Sequence, residues 1–172
     1  MKKILAMILV LMMVASFAGC ATTGGTKTVS ATDPTNPESI SYKDYDNSLS
    51  GLCEYLDDLG YMVFDYNASA DEAGTAAIKM NAELIGAESG FKSTYRYDKV
   101  NWIVEVYYYK DTNSDEYKEA QTGKFTFEGV EDGTFDITVK NNYAIVVTAP
   151  DGGEEREKAI VEAFNNFYPD GQ

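Results

Sequence analysis

The sequence predicts an α+β fold: a single domain in which an antiparallel sheet of about five strands is packed by helices on one face. Three observations carry that expectation. Apolar residues recur at helical spacing near both ends of the domain, at Leu49, Leu52, Cys53, Leu56 and Leu59 and again at Ile160, Ala163, Phe164 and Phe167. From Phe91 onward the apolar period drops to two, the mark of strands with one buried face. Asp132-Gly133 and Asn141-Asn142 then supply the backbone freedom that tight hairpins need.

The first helix is predicted over about 47–59, because Glu54, Asp57 and Asp58 fall off the apolar stripe and Gly60 ends it. Residues 61–66 read either as an edge strand or as a buried connection. Ser69-Ala70-Asp71-Glu72 has the capping-box pattern, in which the Ser hydroxyl and the Glu carboxylate satisfy amide donors at a helix start. Ala73, Ala76, Ala77, Met80, Leu84 and Ala87 continue that second helix, with Asn81 a point of interruption and Gly90 its end.

With a turn at 98–101, Phe91, Ser93, Tyr95 and Tyr97 share a core side with Trp102, Val104, Val106 and Tyr108. The other side then shows Lys92, Thr94, Arg96, Ile103, Glu105, Tyr107 and Tyr109 to water. Residues 115–121 read as a short polar helix. A meander follows, with Phe125 and Phe127 on one strand, Phe135, Ile137 and Val139 on the next, and Tyr143, Ile145 and Val147 on a third. The last helix has Glu154 and Glu155 at the favourable end of its dipole and is stopped by Pro169.

The amino terminus has a different character. Lys2 and Lys3 precede an apolar run from Ile4 to Val14, and small residues lead to Gly19 and Cys20, the pattern of a secretory signal peptide. The run is about half of the roughly 20 residues that a membrane-spanning helix needs. Phe17-Ala18-Gly19-Cys20 resembles the lipobox of bacterial lipoproteins, with Phe17 where that family usually has Leu. The resemblance implies that residues 1–19 are a signal peptide that is removed, and that the Cys20 sulfur carries diacylglycerol. Ser16-Phe17-Ala18 also fits an ordinary small-x-small site, whose cleavage releases a protein without lipid. Two acyl chains, at about 0.8 kcal/mol per buried CH₂, hold a protein stably on a membrane. Residues 20–41 are rich in Thr, Ser, Gly and Pro and read as a lipidated, flexible tether with a reach of roughly 25 Å, carrying one globular domain at 42–172.

Composition narrows the chemistry. The chain has 14 basic and 28 acidic residues, so removal of Lys2 and Lys3 leaves 12 minus 28, a net charge of −16. Such a surface repels nucleic acid, and no nucleic-acid partner is expected. The sequence has no histidine, which excludes triads with a His base and metal sites with His ligands. With Cys20 assigned to lipid, Cys53 has no disulfide partner and reads as a buried thiol on the first helix stripe. No cofactor, metal ion or catalytic residue is expected.

Two constellations remain. Asp111-Thr112-Asn113-Ser114-Asp115 opens like a calcium loop, but Glu116 stands where an EF-hand needs Gly and Thr122 where it needs a bidentate Glu. A polar turn with Ser114 or Asp115 capping the next helix is the plainer expectation. Lys92, Arg96, Glu105, Tyr107 and Tyr109 form the candidate ligand surface, on an open sheet face where rings flanked by hydrogen-bonding groups suit sugars, peptides or a protein. The same residues also fit a purely structural role as cross-strand pairs.

Residues 82–91, Ala-Glu-Leu-Ile-Gly-Ala-Glu-Ser-Gly-Phe, lead into an aromatic strand and resemble a segment of small uncharacterised lipoproteins of Firmicutes. That resemblance implies no activity and no functional residue. The expected role is a lipid-anchored, extracytoplasmic, non-enzymatic module that meets an envelope protein or a glycan. A carboxylate-dependent glycan hydrolase and a structural envelope protein are the alternatives.

Overall fold

A computed structural model describes residues 30–64, 82–126 and 133–169 and shows the α+β class. Its elements are α1 (Leu49–Asp58), β1 (Ser89–Tyr97), β2 (Val100–Tyr108), α2 (Asp115–Ala120), β3 (Lys124–Thr126), β4 (Thr134–Asp136), β5 (Thr138–Lys140), β6 (Tyr143–Thr148) and α3 (Glu154–Asn166). Short 3₁₀ turns at Pro37–Ser39 and Tyr42–Asp44 precede them. The signal peptide, the lipobox, the capping box at Ser69–Glu72, Phe127 and Asp132 lie outside the described residues.

β1 and β2 form a nine-residue hairpin, with Phe91 opposite Val106 and Tyr95 opposite Trp102. Its turn is only Asp98-Lys99, both at positive φ (48° and 69°), the geometry that matches the twist of paired strands. β6 pairs with β2 and β5 with β6, all antiparallel, in the order β1-β2-β6-β5. β3 and β4 make a separate two-stranded sheet. The strand expected to carry Phe135, Ile137 and Val139 together is therefore two strands. Phe135 pairs with Phe125 in the small sheet, Ile137 is buried where the chain changes sheets, and Val139 pairs with Ala144 in the large one.

The core side read from the sequence is the face that α1 and α3 cover. Leu52, Cys53 and Leu56 from α1 and Ile160, Ala163 and Phe164 from α3 close over Tyr95, Trp102, Val104, Val106 and Ile145. Each fully buried aliphatic side chain there contributes about 1.5–3 kcal/mol relative to exposure. Ser48 caps α1, its Oγ accepting from the Gly51 amide at 3.0 Å. Residues 61–64 are a connection and not an edge strand: the Ser93 hydroxyl accepts from the Val63 amide at 2.9 Å and donates to the Val63 carbonyl at 3.0 Å.

Helices on one face only is a correction. The opposite face is also packed, by Tyr117 and Ala120 of α2, by Phe125, and by Ala82, Ile85 and Ala87 ahead of β1. The second helix is described only from Ala82 to Leu84, and Gly86 at φ +72°, not Gly90, follows its end. Gly90 sits inside β1 opposite Tyr107, where a Cβ would stand 2.6 Å from that ring. Glycine at this strand position leaves the Tyr107 ring the space that a side chain would fill.

The extent of the free tether changes too. Ser30 forms a parallel bridge with Arg96, and Ala31 and Ile40 pack against the first core face. Within the expected tether 20–41, the stretch from Ser30 onward lies on the domain.

Candidate functional site

The five residues expected to line an open ligand surface do not form one. Lys92 and Glu105 are direct cross-strand partners, with Nζ 2.8 Å from Oε1. Tyr107 donates its hydroxyl to the other oxygen of Glu105 at 2.9 Å, and Glu105 is buried. Tyr107 and Tyr109 are 2 % and 0 % exposed, beneath α2 and the small sheet. Arg96 lies apart near the hairpin turn, donating to the Lys99 carbonyl at 2.8 Å. The structural reading of the cross-strand pair is the one the geometry supports, because the rings face packed side chains and not solvent.

Tyr109 stacks edge-on to Tyr117 at 5.1 Å, and its hydroxyl is buried without a hydrogen-bond partner. Burial, with nearby Tyr117, Glu116 and Glu119 adding to it, pushes the Tyr109 phenol well above its usual range. The thiol of Cys53 is fully buried and is likewise pushed up by burial, then by Glu54 and Asp57, which makes it inert.

The Asp111–Asp115 segment is a capped turn. The Asn113 amide donates to Asp111 Oδ1 at 2.9 Å, and Ser114 Oγ accepts from the Tyr117 amide at 3.1 Å to start α2. Among the described residues no group of three or more Cys, Asp or Glu side chains could hold a metal ion. No helix among them is long and apolar enough to cross a membrane.

The strongest surface feature is a tyrosine cluster at the end of the sheet away from the β1–β2 turn. Tyr108 and Tyr143 pair across β2 and β6 with ring centroids 5.7 Å apart. Phe167, just past α3, contacts Tyr55 of α1 at 5.6 Å, Tyr143 at 6.3 Å and Tyr168 at 5.0 Å. Tyr168 meets Tyr42 edge-on at 5.2 Å, and Tyr45 meets Tyr55 at 5.6 Å. Tyr55, Tyr143 and Phe167 are buried, whereas Tyr42, Tyr45, Tyr108 and Tyr168 are half-buried at the rim.

Hydrogen bonds lock three of these rings. Tyr168 donates to the Tyr45 carbonyl at 2.6 Å, Tyr45 to Asp58 at 2.5 Å, and Tyr143 to Asn47 Oδ1 at 3.4 Å. Lys140 donates to the Asn165 carbonyl and Asn141 Nδ2 to the Tyr168 carbonyl, satisfying acceptors at and beyond the end of α3. Tyr168 itself sits at φ +41°, an unusual conformation for a bulky side chain. Burial, then the bond to Asp58, raises the Tyr45 phenol far above its ordinary value. Burial raises Tyr55 and Tyr143 as well. The cluster therefore offers aromatic contact area at low entropy cost.

No local spacing marks this cluster in the sequence. Its members come from the first turns, α1, β2, β6 and the chain after α3, and only the order of strands and helices brings them together. Comparison with protein-family models, with curated proteins and with solved structures gives no match.

Proposed function

We propose that the chain is a lipid-anchored extracytoplasmic binding module: one α+β domain, tethered to the membrane through Cys20, that takes a neutral envelope glycan on its tyrosine cluster. The observation that carries the ligand half is the gathering of the partly exposed Tyr42, Tyr45, Tyr108 and Tyr168 around the buried Tyr55, Tyr143 and Phe167, with Tyr168 at positive φ and edge-on to Tyr42. Backbone strain of that kind amounts to about 1–3 kcal/mol and gathers at functional positions. Sugar rings present apolar C–H faces that stack on phenols. The anchoring half rests on Met1–Cys20 and its likeness to a lipobox.

The test is titration of the full-length protein with soluble fragments of purified cell-wall glycan, read by calorimetry and by tyrosine fluorescence. Saturable binding that Tyr42→Ala and Tyr168→Ala each weaken about tenfold, with the fold retained by circular dichroism, supports the assignment. Absence of binding, or binding indifferent to both substitutions, removes it.

A further inference from the structure

The chain ahead of the first 3₁₀ turn is clasped to the domain by contacts from four directions. The Ala31 amide donates to the Arg96 carbonyl at 3.0 Å, beside the Ser30–Arg96 bridge. Asp33 accepts the Tyr97 hydroxyl at 2.6 Å on one carboxylate oxygen, and its other oxygen lies 3.2 Å from Nη1 of Arg156. Arg156, from α3, lies over the Tyr97 ring at 3.3 Å, with Tyr61 and Trp102 at 5.3 and 5.8 Å, and donates to the Gly60 carbonyl. Its side chain is only 12 % exposed. Gly60 completes the clasp: it sits at φ +73°, and a Cβ there would collide with the carbonyl oxygen of Thr32.

The clasp sits at one end of the sheet. Arg96 and Tyr97 lie at the end of β1 next to the Asp98-Lys99 turn, whereas Tyr108 pairs with Ser89 at the other end. The eight residue steps of β1, at about 3.3 Å each, separate the two ends by roughly 26 Å. Ten residue steps separate Cys20 from Ser30, at most about 35 Å of fully extended chain.

We propose that residues 30–33 are a strap that makes the β1–β2 end the attachment point of the domain, so that the β1–β2 turn lies on average nearer the bilayer than the tyrosine cluster does. The strap stands on the contacts above. Its orienting consequence rests on the proposed anchoring at Cys20.

Two readouts on the full-length protein in neutral phospholipid vesicles test the two parts. Amide exchange should find the Ala31 amide protected, and at least tenfold faster in Asp33→Ala while the α3 amides hold their rates. A fluorophore placed by Val100→Cys, an exposed position near the turn, should be quenched by a headgroup quencher at least twofold more than one placed by Thr112→Cys. Asp33→Ala should narrow that difference, and buried Cys53 leaves the labelling selective. An Ala31 amide that exchanges freely in the wild type overturns the strap. Equal quenching at the two positions with Ala31 protected overturns the orientation. A chain that fails to sediment with vesicles and carries a free Cys20 thiol overturns the anchoring, and the orientation with it.

Discussion

The guanidinium carbon of Arg156 lies 3.3 Å from the centre of the Tyr97 ring, and both side chains hold the carboxylate of Asp33. One cation on the last helix therefore joins the hairpin, the loop after α1 and the segment leading to the amino terminus. Substitution by Lys keeps the charge and loses the planar fork, so Arg156→Lys is expected to cost about 1–2 kcal/mol. Urea denaturation measures this, and a midpoint equal to that of the wild type contradicts it.

Glu105 is buried between Lys92 and Tyr107, and removal of its cation leaves a poorly compensated charge. Lys92→Met should destabilise by about 2 kcal/mol, less than for a fully buried pair because Lys92 is partly solvated. Adding Glu105→Gln removes the charge and should recover about half of the loss. A double-mutant cycle with a coupling energy below about 0.3 kcal/mol refutes the pairing.

The Tyr109 hydroxyl is buried with no partner, so its removal should cost nothing. Tyr109→Phe is expected to leave stability unchanged or to raise it by up to about 1 kcal/mol, since an unmade hydrogen bond is a desolvation penalty. Thermal unfolding decides it, and a clear loss of stability shows that the hydroxyl has a partner in solution.

Tyr45, Tyr95 and Tyr109 have phenols raised above the ordinary tyrosine value, each chiefly by burial. The folded state therefore binds these protons more tightly than the unfolded chain. Their contribution is fully present below the unfolded value of about 10 and is lost as pH rises from there through the folded values. Urea midpoints should be flat to about pH 9 and fall above about pH 10. A midpoint that stays level or rises from about pH 10 upward contradicts this.

Periodicity made the first core face legible: α1, the hairpin and α3 each present one apolar stripe, and those stripes meet. The second face was hidden because Lys92, Thr94, Arg96 and Glu105 alternate with its rings and read as solvent-facing. Glu105 is tolerated there because Lys92 and Tyr107 satisfy it, a pairing that becomes visible once the register is known. The break at Ile137 is equally silent, since a strand that changes sheets keeps its alternation. The tyrosine cluster depends on β6 returning beside β2 and on the chain turning at Tyr168, neither of which a local pattern encodes.

The proposed role depends first on attachment of the chain to a membrane through its mature amino terminus. Mass spectrometry of the natively produced, detergent-extracted protein tests this directly. The account predicts a terminal peptide that begins at Cys20 with diacylglycerol on its sulfur. A terminal peptide beginning at Gly19, or one with an unmodified thiol at Cys20, contradicts it.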